Sequence, residues 1–196
     1  MKHVKDWQEW RVDEVRVQDK ERLGQGAEHV VYPSITRPDR VIKKFTADEK
    51  HYSREQWKEM IRVSKEHPEI FAVIYQVDLV KGYFIQEKLD VNSFTSDCQK
   101  LDTHLRSSGI DEEYPMFQPD LISYYYLWSE NLVLLDEVRW AKGLAERLTR
   151  FIDRLENAGY GAHGKRRLGD LYLRNMGYSA TGEIKILDFN FISEYY

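Results

Sequence analysis

The first half of the chain carries apolar positions in short β-forming runs. Val30, Val31 and Tyr32 follow a pair of glycines, Pro38-Asp39 signals a turn, and Arg40 to Phe45 predicts a second strand, so the two form a hairpin. Ala47 to Glu66 then reads as a helix. It is rich in Glu, Lys and Arg, it carries a stripe of Trp57, Met60, Ile61 and Ser64 at helical spacing, and Pro68 lies just past its end. Phe71 to Val80 and Tyr83 to Leu89 predict two further strands joined by Lys81-Gly82. The order is strand, strand, helix, strand, strand.

The second half reads as mainly helical. Leu121 to Val138 is apolar and aromatic nearly throughout, the pattern of a well-buried helix. Arg139 to Asn157 is the clearest helix in the chain: Trp140, Leu144, Leu148, Phe151 and Leu155 form one stripe, and Gly159 stops it. A loop and a short segment from Leu168 to Met176 follow. The chain then predicts a hairpin with its turn at Ser179 to Gly182 and its second strand at Ile184 to Phe189. Residues 90–120 carry no motif. Residues 1–20 read as an extension whose Trp7, Trp10 and Val12 dock on the body.

Composition narrows the class. Of 196 residues, 42% are apolar, enough for a core, and Gly and Pro total only 16, so the chain is not disordered. A net charge of −4 argues against DNA or RNA as the bulk partner. The single cysteine, Cys98, forms no internal disulfide and fits a reducing, cytoplasmic compartment. No apolar run approaches the roughly 20 residues that span a bilayer, and the first sixteen residues lack the apolar core of a secretory signal.

Four segments carry chemistry. Gly24 and Gly26, in Leu23-Gly24-Gln25-Gly26, make a turn whose backbone N–H groups can approach phosphates. Lys43 and Lys44 lie one strand later, on opposite faces by parity, and either one facing inward can meet a phosphate. Asp170 and Asn175 are spaced as an acid that receives a hydroxyl proton and an amide that binds a metal. Asp188 ends an apolar strand, where its carboxylate can hold a divalent ion. The six histidines show no zinc spacing. The basic run Lys165-Arg166-Arg167 reads as a solvated loop, and Tyr124 to Tyr126 as helix packing.

In that order, the four segments resemble the signature set of the protein-kinase-like superfamily, from about Arg22 to Phe189. The resemblance implies an α+β, bilobal kinase-like fold. Residues 21–89 would form an antiparallel-sheet lobe, and residues 90–196 a truncated, mainly helical lobe. It implies that Gly24 and Gly26 cover the phosphates of ATP, and that Lys43, matching the end of a V-A-I-K strand, pairs with them; Lys44 is the alternative. Glu59, or Glu55 one turn earlier, would orient that lysine. The backbone at Glu87 and Leu89 would meet adenine, Asp170 would be the catalytic base, and Asn175 and Asp188 would hold Mg²⁺.

The departures sharpen the expectation. His29 replaces the third glycine of the loop. Leu168-Gly169 replaces the His-Arg before the catalytic aspartate, which argues against control by a phosphorylated activation loop. Tyr172 replaces a lysine common in protein kinases, and Asn190 the glycine of D-F-G. Only eight residues follow Asp188 in the sequence. The chain is thus similar to the small kinase of the tRNA-threonylcarbamoyl complex and to compact bacterial effector kinases. Its substrate would dock elsewhere, or a partner would complete the lobe. The leading expectation is a compact atypical kinase acting on protein Ser or Thr, at work in the cell that makes it or in one that receives it. The G-D-L-x-x-x-N loop, similar to that of aminoglycoside and choline kinases, keeps a small-molecule kinase open, and the degenerate glycine loop keeps a nucleotide-binding pseudokinase open.

Overall fold

The computed structural model describes residues 9–12, 15–18, 22–25, 29–46, 53–107, 139–160, 168–169 and 171–191. It divides into two compact units, Met1–Pro68 with Ala72–Lys88 and Glu69–Phe71 with Leu89–Tyr196. The expected helix Leu121 to Val138, the start of the helix expected from Ala47, the Lys165–Arg167 run, Gly26 and Asp170 lie outside the described residues. Among the described residues, no helix is long and apolar enough to cross a membrane.

The first unit opens with a hairpin the sequence did not announce, β1 (Glu9–Val12) paired antiparallel with β2 (Val15–Gln18). Its main element is a five-stranded antiparallel sheet: β3 (Gly24–Gln25), β4 (His29–Pro33), β5 (Arg40–Phe45), β6 (Ile74–Asp78) and β7 (Tyr83–Glu87), in spatial order β3-β4-β5-β7-β6. Side chains close both tight turns. Ser34 Oγ accepts the Arg37 N–H at 2.9 Å before β5 begins. Asp78 Oδ1 accepts the N–H groups of Val80 and Lys81 at 3.1 and 2.8 Å, and Gly82 takes φ 73°. That Asp78 turn is why the strand expected to reach Val80 stops at Asp78.

Cross-strand partners share a face of the sheet. Tyr32 pairs with Ile42 and Ile42 with Ile85, and these three with Tyr83 form a buried cluster flanked by Val30 and Tyr75. The other face carries Val31, Lys43 and Phe84 in register, with His29 opposite Phe45. Helix α1 (Arg54–Glu66) covers this face: the Trp57 ring lies 5.1 Å from that of Phe84 and 5.5 Å from that of Phe45. A capping box starts α1, with the Gln56 N–H donating to Ser53 Oγ at 3.1 Å and the Ser53 N–H to Gln56 Oε1 at 2.7 Å. Its buried residues are Trp57, Met60, Val63 and Ser64, so Val63 takes the place expected of Ile61. Ser64 serves the sheet directly by accepting the Ile74 N–H at 3.1 Å.

The second unit contains α2 (Val91–Ser107) and α3 (Arg139–Asn157). Asp90 caps α2, its carboxylate accepting from the Ser93 N–H at 2.9 Å and the Ser93 hydroxyl at 2.7 Å. The helix buries Phe94, Cys98 and Leu101. Helix α3 has the ends the sequence predicts and closes at Gly159, φ 80°, with the Tyr160 N–H donating to the Leu155 carbonyl. Its buried stripe begins at Ala141. Trp140 is 44% exposed and leaves the stripe to which its spacing assigned it.

Short elements follow: β8 (Leu168–Gly169), a 3₁₀ turn (Leu173–Asn175), β9 (Met176–Tyr178), β10 (Ile184–Ile186) and β11 (Asn190–Phe191). β9 and β10 form the expected hairpin, though its second strand ends at Ile186 rather than Phe189. β8 pairs antiparallel with β11. The class is the expected α+β, with the antiparallel sheet and α1 in one unit and α2, α3 and short strand pairs in the other.

Two glycines test this packing. A Cβ built on Gly177 would lie 2.9 Å from the Leu89 Cβ and 3.2 Å from backbone atoms of Asp90 and Val91, whereas one on Gly143, inside α3, meets nothing within 4 Å. Gly177→Ala is therefore expected to cost about 1–3 kcal/mol and Gly143→Ala to add about 0.5–1 kcal/mol, both read from urea denaturation. Equal effects would contradict the tight passage at Leu89. A second expectation concerns alkali. Burial, and next to it the Asp97 charge, push the Cys98 thiol up from its ordinary 9.0 to about 12. The folded chain keeps a proton that the unfolded chain releases, so stability present below pH 9 is lost as pH rises toward 12, at up to ~1.4 kcal/mol per pH unit. Cys98→Ala should flatten that decline, and an unchanged slope would refute it.

Candidate functional site

In the first unit the register decides between the two lysines. Lys43 lies on the α1-covered face between Val31 and Phe84 and is 5% exposed, with its ammonium 5.5 Å from the Phe84 ring centre. Lys44 is half-buried on the opposite face, in register with Val30 and Tyr83. Only Lys43 shares its face with the helix that carries Glu59.

The Glu59 carboxylate accepts from Arg62 at 2.9 and 2.6 Å, and Arg62 also reaches Glu66. Arg62 is a partner that sequence reasoning missed, although its spacing from Glu59 and Glu66 on one helix face announces it. Glu55, the alternative, is exposed in the first turn of α1.

Gly24 sits in β3 opposite Val31, and a Cβ there would meet nothing within 4 Å. His29, the departure from the glycine pattern, already belongs to β4. Its ring lies 5.4 Å from Phe45 and 5.1 Å from Phe84, so it serves the aromatic cluster. At the far end of the sheet the Glu87 N–H donates to the Val73 carbonyl at 2.9 Å and its carboxylate accepts the Val73 N–H at 3.2 Å. The first unit ends one residue later at Lys88, and Leu89, 7% exposed, begins the second.

In the second unit the hairpin brings Asn175 and Asp188 to neighbouring positions. The Leu187 N–H donates to the Asn175 carbonyl at 2.7 Å, directly beyond the Met176–Ile186 pair. Phe189 is buried with its ring 4.4 Å from Phe71, which packs edge-on against Tyr160 at 5.3 Å. The Ile186 N–H also donates to the Ile70 carbonyl at 2.8 Å. Asp188 is thus flanked by two anchored residues while staying only half-buried itself. A carboxamide oxygen and a carboxylate are donor types that suit a hard cation such as Mg²⁺. Gly169 pairs with Asn190, so the strand leading to position 170 lies beside the one that follows Asp188. Tyr172 carries the Arg174 guanidinium over its ring at 4.6 Å.

No family model matches the chain, and no curated protein does. One solved structure similar to it is the choline kinase LicA from Streptococcus pneumoniae, at 17% identity and a TM-score of 0.39, covering 87% of this chain and 64% of that one. The chain therefore spans less than two thirds of that protein. At this level of likeness, no residue role passes from one to the other.

The two lysines give the test of the first unit. Lys43→Met is expected to weaken Mg²⁺-ATP binding about tenfold or more, and Lys44→Met to bind as the parent does. Equal binding by both variants, measured by calorimetry, would remove Lys43 from the site.

Proposed function

We propose that the chain is an ATP-dependent phosphotransferase of the protein-kinase-like kind, a compact kinase that moves the γ-phosphoryl group of ATP to a hydroxyl. The observation that carries the reading is the neighbourhood of Asn175, at the end of the 3₁₀ turn, and Asp188, two residues past β10, beside the 2.7 Å hydrogen bond from the Leu187 N–H to the Asn175 carbonyl. Lys43, buried on the helix-covered face of an antiparallel sheet with order β3-β4-β5-β7-β6, supports it.

In this reading Gly24 and Gly26 let backbone N–H groups approach the triphosphate, and Lys43 neutralises part of its charge. Glu59 orients Lys43, and the backbone at Glu87 and Leu89 receives adenine. Asn175 and Asp188 hold Mg²⁺, which when bound offsets charge on the phosphates. Asp170 orients the acceptor hydroxyl and takes its proton as the phosphorus–oxygen bond forms and ADP departs. Every group acts by position and charge, and none is a covalent intermediate.

The acceptor is read as a protein Ser or Thr hydroxyl. A second reading, a small-molecule acceptor, is favoured by Gly169 and Tyr172, which stand where protein kinases of the resemblance carry arginine and lysine. A pseudokinase would bind nucleotide without turnover.

One assay separates the three. The full chain is incubated with Mg²⁺ and γ-labelled ATP, alone and with lysate, beside Asp188→Ala. Label on protein that disappears in the variant supports a protein kinase. Label confined to small solutes moves the acceptor to the second reading. Nucleotide binding without any transfer overturns the enzyme. Asp170→Ala is expected to keep ATP binding and lose roughly a hundredfold or more of the turnover; parental turnover would remove Asp170 as the base.

A further inference from the structure

The Asn175–Asp188 pair rides on a hairpin of only three residues per strand. A two-stranded hairpin of that size has marginal stability by itself, so contacts from outside must fix its orientation. Those contacts concentrate on one residue. Tyr178, at the end of β9 and three positions after Asn175, donates its hydroxyl to Asp97 Oδ2 of α2 at 2.9 Å. Phe94 of α2 meets its ring edge-on at 5.3 Å, and the Arg147 guanidinium of α3 lies over the ring at 4.8 Å. Its backbone is held as well: the Asp90 N–H donates to the Tyr178 carbonyl at 2.8 Å, and the Tyr178 N–H to the Asp90 carbonyl at 3.2 Å. One residue earlier, Gly177 lets Leu89, Asp90 and Val91 pass close by.

We propose that Tyr178, held by Asp97 and Arg147, is a positioning residue that sets the geometry of the Asn175–Asp188 metal pair. The inference rests on the phosphotransferase reading but assigns a role to residues that reading does not use. Burial, and after it the bond to Asp97, raise the phenol well above its ordinary range, so Tyr178 remains a hydrogen-bond donor at any working pH. Asp97 also lies 3.7 Å from Lys100, so its carboxylate is engaged on two sides. The hairpin has a second fastening one rung beyond Tyr178, on the turn side. Arg154 of α3 meets Glu183 at 2.7 Å, beyond the turn from Asn175. Two links thus hold adjacent rungs of one hairpin, a phenol–carboxylate bond on the strand that leads from Asn175 and a partly exposed ion pair in the turn. The first, on the strand continuous with Asn175, is the one that should matter to a metal.

The experiment titrates Mn²⁺ into the full chain with saturating ADP, followed by electron paramagnetic resonance, with thermal unfolding recorded alongside. Tyr178→Phe is expected to weaken Mn²⁺ binding by roughly tenfold, and Asp97→Ala by a similar factor. Asp97→Asn, which keeps a neutral acceptor for the phenol, should bind within about twofold of the parent. Glu183→Gln should unfold earlier yet bind Mn²⁺ as the parent does. If Tyr178→Phe unfolds earlier but binds Mn²⁺ unchanged, the tyrosine only stabilises the fold and the proposal fails. If Asn175→Ala and Asp188→Ala also bind unchanged, the metal pair itself is wrong, which is a separate failure and removes the proposal along with the reading beneath it.

Discussion

A buried ammonium is the constraint on which the first unit turns. Lys43 is 5% exposed, with Val31 and Phe84 beside it across the sheet. Placing such a charge in an apolar wall costs several kcal/mol unless an anion answers it. A leucine at that position would satisfy the sheet and helix α1 at no such cost. The surroundings also rule out the ordinary use of a strand lysine as a solvated edge, because β5 is the central strand, with β4 on one side and β7 on the other. In the proposed function the ammonium also faces a triphosphate. The same wall, built from Trp57, Phe45 and Phe84, keeps water away and makes that attraction stronger.

The second unit solves a different problem, that of holding two oxygen donors still on very little structure. The hairpin gains rigidity from outside by three kinds of contact. Phe189 and Ile186 anchor it to Phe71 and Ile70. Tyr178 joins it to both helices. Arg154 fixes its turn through Glu183. The helices in turn owe their placement to local chemistry: Asp90 starts α2 as a cap and simultaneously bridges Tyr178 through its backbone. A single aspartate therefore begins a helix and registers a strand.

Much of this was legible because the local code and the tertiary packing agree. Helix α3 begins and ends where its pattern and Gly159 place it, since a long amphipathic stripe and a left-handed glycine leave little choice. The sheet was legible from its turns, Pro38-Asp39 and Lys81-Gly82. Helix α2 was not. Its buried positions, Phe94, Cys98 and Leu101, are few and sit among Ser, Thr, Gln and Asp, residues that mark loops as readily as helix surface. Trp140 misled for the opposite reason. It has the right spacing, but it lies in the first turn of α3, where small Ala141 meets the core and the indole turns toward His104, ring centres 6.2 Å apart. Of the candidate site, parity left Lys43 and Lys44 open, and the resemblance to a V-A-I-K strand pointed to Lys43, which the register places on the helix-covered face. Tyr178, Asp97 and Arg147 were not, because their meeting depends on three elements far apart in the chain.

That difference follows from what each group has to do. The residues expected to touch nucleotide or metal are few and fixed in type by their chemistry, so they persist as a readable pattern even in a short chain. The residues that orient them are under no such restriction. Any donor on the hairpin and any acceptor on the neighbouring helix would serve, provided the pair is buried enough to stay formed. A part-buried phenol–carboxylate bond, with an edge-on phenylalanine and a guanidinium at the ring, holds the hairpin with four side chains. In the proposed reading the chemistry lies in a familiar set of groups, and the individuality lies in the scaffold behind them.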